Sequence, residues 1–225
     1  MAKEDYRLLV KFWIFQGETV LSESEGCMTM KLEYSSVLTG AGFMLYEVKQ
    51  VAKLKEQGFS DKEIRYKVLE ENIFQYEKLS SVKRAMPYIL KRVDLLDDTL
   101  RQLLIEESFE VGKVINLYAI MKFDRLFFEF MQEVIQEKLS NNNYYLDKVD
   151  VNSFFEQKIE QSEFMNSWSE TTVAKLKQVF KKILLQVGML KDLKSGELNR
   201  LLIDNQISEH LQRIGDKSYL KAMGE

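Results

Sequence analysis

Basic side chains cluster in two stretches of this sequence, and phosphate binding is the chemistry they could perform. Residues 48–92 carry eleven Lys or Arg against six Asp or Glu, and residues 175–194 carry six Lys against one Asp. Cationic side chains on helix faces, close to helix N-termini, are what binding to a nucleic-acid backbone requires. The first stretch supplies these candidate DNA contacts: Ser80, Ser81, Lys83, Arg84, Lys91 and Arg92. The second supplies Lys175, Lys177, Lys181 and Lys182.

The two groups predict different contacts with DNA. In the first, the serine hydroxyls would bond phosphate or cap a helix, while Lys83 and Arg84 would reach phosphates or base edges. The second group contains lysine alone, so we expect it to bind the phosphate backbone rather than to read bases in bidentate fashion. The alternative for both groups is the ordinary solvated outer face of an amphipathic helix.

Residues that commonly catalyse reactions or bind metals are sparse in this sequence. His210 is the only histidine, so a His-based triad or metal site would depend on it alone. Asp94, Asp97 and Asp98 could hold Mg²⁺, but acids spaced along one helical turn more often face solvent. The sequence contains no Gly-rich phosphate loop. We therefore predict no enzymatic activity, no cofactor and no metal, with a small nuclease as the distant alternative.

The composition indicates a helical protein of a reducing compartment. Among 225 residues, 45% are hydrophobic and 30% charged, with one proline and ten glycines, which favours helices over a turn-rich β fold. The net charge of −3 means that local patches must carry any nucleic-acid binding. The single cysteine, Cys27, excludes a disulfide framework, and no apolar run approaches the length of a membrane helix. We expect a cytoplasmic protein without a signal peptide.

Residues 1–29 differ in character from the rest of the sequence. An apolar segment, 6–15, is followed by a polar stretch, 22–26, and methionines then occur at positions 28 and 30. We expect the natural start at Met28 or Met30, which makes the upstream residues an extension that is not native. The alternative is a genuine arm that docks on the core.

From Thr39 onward, apolar residues recur at three- and four-residue steps, which predicts a series of helices. Ser60 and Ser167 begin capping-box patterns, and Ser80 or Ser81 is a good N-cap. Pro87 ends or kinks the helix that contains it, and a long helix is expected from there to Leu104. The remaining predicted helices cover about 61–71, 107–121, 123–139, 151–159, 170–187, 197–203 and 206–214.

The Asn-rich stretch 140–150 predicts a linker between an N-terminal helical subdomain, 30–139, and a C-terminal one, 151–225. Within the first, a helix, the turn Gly58-Phe-Ser60, a second helix and the 80–92 helix follow the order of a trihelical DNA-reading unit. The third helix of such a unit presents its first turn to the major groove. Here the connector before that helix is longer than usual, and helix–turn–helix is also a packing unit without a DNA role.

A series of short motifs occurs in a characteristic order and spacing. The motifs are Tyr34–Gly40, Glu47, Gly58–Ser60, Glu71–Gln75, Lys83-Arg84, Arg92, Asp124–Leu126, Glu129-Phe130, Phe154-Phe155, Trp168–Thr172 and Gly188–Leu190. Through them the chain, from about Tyr34 to Met223, resembles the BrxA family of BREX (bacteriophage exclusion) defence systems. The order and spacing of the motifs carry this resemblance, since no single motif is diagnostic.

The resemblance implies an all-α, compact multi-helix globular protein that is monomeric and binds double-stranded DNA. Helix–turn–helix elements would lie in both halves, at about 60–92 and 170–213. It also implies a setting beside a DNA methyltransferase and other BREX components, without enzymatic activity. We therefore expect a non-catalytic DNA-binding component of a phage-defence system. The alternative is a helical protein–protein adaptor of a defence complex that does not contact DNA.

Overall fold

The computed structural model describes residues 33–225, so the predicted extension, 1–29, lies outside the described residues. Residues 34–225 form one compact unit, and its helices confirm the predicted all-α fold class. Residues 141–147 of the predicted linker, 140–150, connect two of these helices, and the role of the linker as a subdomain boundary stays a prediction. Within the described range, no helix has the length and apolar character needed to cross a bilayer.

Helices follow one another along the described chain. A short 3₁₀ helix, Val37–Thr39, precedes α1 Leu45–Glu56, α2 Asp61–Leu69, α3 Leu79–Asp94, α4 Asp98–Glu106 and α5 Phe109–Phe123. Next, α6 Arg125–Phe130 continues through a π-helical segment, Met131–Gln136, into α7 Glu137–Ser140. The C-terminal helices are α8 Lys148–Gln161, α9 Glu163–Asn166, α10 Glu170–Val187, α11 Asn205–Arg213 and α12 Lys217–Ala222.

Helix α5 is the centre of the core because its sequence is apolar around nearly the whole circumference. Every residue from Val114 to Met121 is buried. A helix that is apolar on all sides must be covered on all sides. Accordingly α1, α3, α4, α6, α10 and α12 all pack against α5. Both basic helices of the sequence, α3 and α10, are thereby anchored to the same central helix.

Helix starts show where local sequence signals determine the structure. The capping box at Ser60 is confirmed, because its backbone N–H donates to the Glu63 carboxylate at 2.8 Å and its hydroxyl accepts the Glu63 N–H. The second predicted box, at Ser167, is wrong by two residues. Ser169 caps α10 instead, while the Ser167 hydroxyl donates to the carbonyl of Phe164 at 2.6 Å. Ser167 is instead the C-cap residue of a short helix, α9, which precedes α10.

The predicted helix from Pro87 to Leu104 is wrong in its extent. Helix α3 runs through Pro87 to Asp94, and a new helix starts after a break. Asp97 causes the restart, because its carboxylate accepts the N–H of Leu100 at 2.9 Å. Pro87 has no N–H to donate to the carbonyl of Lys83, one turn earlier in the helix. Because Lys83 is exposed, water can bond to this carbonyl, and the lost hydrogen bond costs little.

Candidate nucleic-acid interface

Helices α1, α2 and α3 pack against one another as a three-helix unit. Gly58, at φ +86°, permits the tight turn between α1 and α2, and residues 70–78 connect α2 to α3. The role of this three-helix unit as a helix–turn–helix stays a prediction. One side of α3 is fully packed, with these residues buried: Val82, Ala85, Met86, Ile89, Leu90 and Val93.

The opposite side of α3 is basic and open to solvent. Ser80, Arg84 and Lys91 recur at steps of four and seven residues, which puts them on one face of the helix. All three are exposed, as are Ser81 and Lys83. We call these five residues the α3 surface. It contains five of the six residues that the sequence predicted for this region.

The cations of the α3 surface have no acidic partner among the described residues. No carboxylate oxygen of that part of the chain forms an ion pair with Lys83, Arg84 or Lys91. The Arg84 Nε donates only to the carbonyl of Ser80, at 3.4 Å. Asp94, at the end of the same helix, forms an ion pair with Lys55 of α1. The positive charge of the surface is therefore available to an external anion.

The start of α3 differs from the predicted cap. The helix begins at Leu79, so Ser80 and Ser81 lie in its first turn, and the expectation that one of them is the N-cap is wrong. Lys78 occupies the N-cap position, and no side chain caps the helix there. The first backbone N–H groups therefore have no side-chain acceptor, which favours an anion at this end of the helix.

Arg92 does not belong to the α3 surface, and its predicted DNA contact is wrong for this conformation. Its side chain is fully buried, with 0% exposure. The guanidinium donates to the carbonyl oxygens of Ala41, of Gly42 at 2.6 Å, and of Phe43 at 3.4 Å. Arg92 thus ties the segment before α1 to α3. Arg92 lies three residues after Ile89, which is buried, and residues three apart share one face of a helix. This spacing was the sequence signal that Arg92 faces inward.

Burial shifts the pKa of Arg92 and that of Asp124, the acid whose charge acts on Arg92. Burial lowers the pKa of Arg92 to about 10, although the carboxylate of Asp124 acts in the opposite direction. Burial raises the pKa of Asp124 to about 6, against hydrogen bonds from the Phe127 N–H and the Ser35 hydroxyl and the charge of Arg92. Arg92 therefore stays charged at neutral pH as part of the core.

The four lysines of α10 lie on two sides of the helix rather than on one. Lys175 and Lys182, seven residues apart, are exposed and line a groove beside the 3₁₀ helix. Lys177 turns towards α8, where its ammonium donates to the Asn152 side-chain oxygen at 2.9 Å. Lys181, four residues further along, shares that side. The structure therefore does not bring all four predicted residues into one site.

An extended hairpin follows α10, where the sequence predicted a helix over 197–203. Leu190 and Leu198 form an antiparallel bridge, and the Asn199 N–H donates to the Met189 carbonyl at 2.8 Å. Asp192 shapes the tip, because its carboxylate accepts the backbone N–H groups of residues 194 and 195, each at 2.7 Å. The helix prediction for 197–203 is wrong because these residues pair with distant segments.

The hairpin encloses a cleft that sequence reasoning missed. Lys181 of α10, Lys194 of the hairpin tip and Lys148 at the start of α8 all line it. No described carboxylate forms an ion pair with any of the three. Among the described residues, Asp147 is the one acidic side chain that lines the cleft. No sequence signal connects positions 148, 181 and 194, since they meet only through the fold.

Gly196 fixes the hairpin against the segment before α8, which gives a stability prediction. Its φ is +73°, and a Cβ there would lie 2.6 Å from the Leu146 carbonyl oxygen. We expect Gly196→Ala to lower the free energy of unfolding by about 1–3 kcal/mol, measured by urea titration. Gly215→Ala is the control, because Gly215 has φ +90° but open space around it. Equal losses for both variants would contradict the close contact.

Comparison with known proteins identifies the family. A model of the BrxA family matches residues 32–215. The chain belongs to the BrxA family. BREX protein BrxA of Bacillus cereus (strain H3081.97) is 39% identical over 194 residues, covering 86% of this chain and 97% of the relative. BREX protein BrxA of Escherichia coli O9:H4 (strain HS) is 22% identical, covering 89% of this chain and 95% of the relative.

A solved structure supports the fold of this BrxA-family chain. The crystal structure of an uncharacterized protein from Magnetospirillum magneticum aligns with a TM-score of 0.76 at 21% sequence identity. It covers 85% of this chain and 98% of the other chain. The resemblance inferred from the ordered motifs is thus confirmed, and the chain is a member of a family of BREX phage-defence proteins.

Proposed function

We propose that this BrxA-family chain is a non-catalytic, double-stranded DNA-binding component of a BREX phage-defence system. It would act as a cytoplasmic monomer beside other BREX components such as a DNA methyltransferase. The observation that carries the proposal is the α3 surface, whose exposed cations lack acidic partners among the described residues.

The shape of the surface favours duplex DNA over a small anion. Arg84 and Lys91 are separated by seven residues, so they stand two helical turns, roughly 10 Å, apart along α3. Phosphates of a duplex repeat along its backbone and can meet such a row of cations, whereas a single phosphate cannot. The uncapped start of α3 adds backbone N–H donors at one end of the row. Arginine also permits bidentate contact with phosphate or guanine.

The proposal predicts that the purified full-length chain binds a fluorescein-labelled 20-base-pair duplex. Fluorescence anisotropy at 50 mM salt would measure the dissociation constant, with an acidic protein as the competing ligand. Saturable binding to the duplex is expected. Failure to bind any duplex, together with binding to the acidic protein, would contradict the proposal and favour a protein–protein adaptor.

The non-catalytic part of the proposal needs a separate measurement. Supercoiled plasmid is incubated with the chain and Mg²⁺ or Mn²⁺, and its topology is followed on agarose gels. We expect the plasmid to stay supercoiled. Nicked or linear plasmid that scales with protein concentration would show that the chain is a nuclease and would overturn this part.

A further inference from the structure

Two aromatic side chains lie at the surface beside the short helix α9. Phe164 is 57% exposed, although its neighbour Met165 is completely buried in the core. The ring of Phe164 packs edge to face with that of Trp168, which follows α9, and the ring centroids are 5.9 Å apart. Single exposed apolar residues are ordinary, but aromatic rings in contact at the surface are typical of protein interfaces. We call Phe164 and Trp168 the aromatic patch.

The backbone that carries Phe164 is held at both ends of α9. The Ser162 hydroxyl caps the helix by accepting the N–H of Met165 at 3.3 Å. The Ser167 hydroxyl donates to the carbonyl of Phe164 itself, at 2.6 Å. An aromatic side chain has only two rotatable bonds, so little conformational freedom remains to be lost when a partner covers the ring.

The exposed charges around the aromatic patch are all negative. Between positions 156 and 170 every exposed charged side chain is a glutamate: Glu156, Glu160, Glu163 and Glu170. Lys158, the one cation of this stretch, is buried and forms ion pairs with Glu129 and Glu133. Among the described residues, no side chain forms an ion pair with the four exposed carboxylates. Their charge is therefore available to an external cation.

A second exposed phenylalanine shows how the chain neutralises a similar combination internally. Phe109 is 60% exposed and is followed by Glu110. Lys113, one turn further on, forms an ion pair with Glu110 at 2.8 Å, and its ammonium lies 5.2 Å from the centre of the Phe109 ring. The residue one turn after Phe164 is Trp168, and no lysine or arginine of the described range lies over either ring of the aromatic patch. A cation at the aromatic patch would therefore have to come from another molecule.

We propose that the aromatic patch and its glutamates form a docking surface for a basic segment of a partner protein. The segment would place an apolar side chain against Phe164, and arginine or lysine side chains against the carboxylates. Arginine suits both parts of the surface, since its guanidinium can lie over an aromatic face and can bond a carboxylate through two N–H groups. Nucleic acid is a poor occupant because its phosphates would meet unpaired carboxylates. The inference goes beyond the proposed function and does not depend on duplex binding.

The first test follows tryptophan fluorescence, because Trp13 and Trp168 are the only tryptophans of the chain. Trp13→Phe in the full-length chain leaves Trp168 as the single reporter. The probe is an end-blocked peptide of the sequence RLARLARLAR, which is basic and apolar, and no DNA is present. We expect a saturable change in Trp168 emission at 50 mM salt, and none with the same peptide carrying glutamate in place of arginine. Equal responses to both peptides, or no saturable response to the basic one, would overturn the proposal.

Two further variants of this reporter chain compare the exposed phenylalanines. Phe164→Ala is expected to weaken binding of the basic peptide by about tenfold or more, as the loss of an interface anchor does. Phe109→Ala is the matched control, because that ring is exposed to the same degree and already has Lys113 beside it. It should bind the peptide within about twofold of the reporter chain. Equal affinities for both variants would show that Phe164 is not an anchor.

The carboxylates are tested by the same titration. Glu160→Gln with Glu163→Gln removes two charges beside the aromatic patch, and Glu106→Gln with Glu107→Gln removes two exposed charges beside Phe109. The first variant is expected to bind the basic peptide about tenfold more weakly at 50 mM salt, and the difference should shrink at 300 mM salt. Equal weakening by the two variants would mean that overall charge, and not this surface, attracts the peptide.

A photo-cross-link identifies the occupant among the natural partners of the chain. In cells of the native host, p-benzoylphenylalanine replaces Phe164 in one strain and Phe109 in another, and mass spectrometry identifies the cross-linked peptides. We expect position 164 alone to cross-link to a lysine- or arginine-rich segment of one other protein. A cross-link to a second copy of this chain would assign the aromatic patch to self-association and overturn the proposal. Absence of any cross-link specific to position 164 would overturn it as well.

Discussion

Arg84→Glu combined with Lys91→Glu is expected to weaken duplex binding by more than about 100-fold at 0.1 M salt. Both cations lie on the exposed face of α3 without an acidic partner among the described residues. Loss of two phosphate contacts alone costs roughly 100-fold, and the new carboxylates add repulsion of the phosphates. Anisotropy titration with the labelled duplex measures the change.

The matched control carries the same charge change elsewhere. Lys217→Glu with Lys221→Glu also lowers the net charge by four, on α12, whose residues are not part of the α3 surface. It should bind within about threefold of the unmodified chain, since screening limits the reach of exposed charges. Equal weakening by both variants would mean that overall charge, and not the α3 surface, determines binding.

Arg92→Ala is expected to destabilise the chain by roughly 3–5 kcal/mol, whereas Lys91→Ala at the neighbouring position changes stability by less than about 0.5 kcal/mol. Arg92 is buried and hydrogen-bonded to the carbonyls of residues 41–43, which its removal leaves without that donor. Lys91 is exposed. Urea denaturation measures both losses, and similar values for the two would contradict the buried role of Arg92.

The destabilisation by Arg92→Ala should also depend on pH. The pKa of Asp124 is raised in the folded chain, to about 6, so folding loses stability as pH rises from its ordinary value near 4 through 6. Arg92 opposes that rise, so its removal enlarges the penalty above pH 6. The difference between variant and unmodified chain is therefore expected to be larger at pH 7 than at pH 4. A difference independent of pH would show that the two groups do not interact.

Local features of this fold were predictable because their causes lie within a few residues. Ser60 and Glu63 stand three apart, and the box they form follows from the pattern alone. Arg125 and Glu129 stand four apart, the spacing that favours an ion pair on one helix face, and that pair is present at 2.7 Å. The exposed face of α3 likewise follows from helical periodicity. In each case the decisive partner is a sequence neighbour.

Features that depend on distant segments were not predictable from one sequence. The sequence indicated that Arg92 is one more exposed cation of a basic helix. Its carbonyl partners lie about fifty residues upstream, so nothing near it in the sequence pointed to them. The cleft lysines are separated by thirteen residues or more, and a hairpin that pairs with residues near 145 brings them together. Pro87 was expected to end or kink its helix. The helix does not end there, because the packed side of α3 continues past Pro87 and outweighs the local preference.

The most direct test of electrostatic binding to the DNA backbone is the salt dependence of duplex binding by the unmodified chain. The three cations of the α3 surface predict a slope of log K against log salt of about −3. Anisotropy titrations between 50 and 200 mM salt measure this slope. A value of about −3 or steeper is the predicted result. Duplex affinity that does not change with salt would contradict binding through the exposed lysines and arginines.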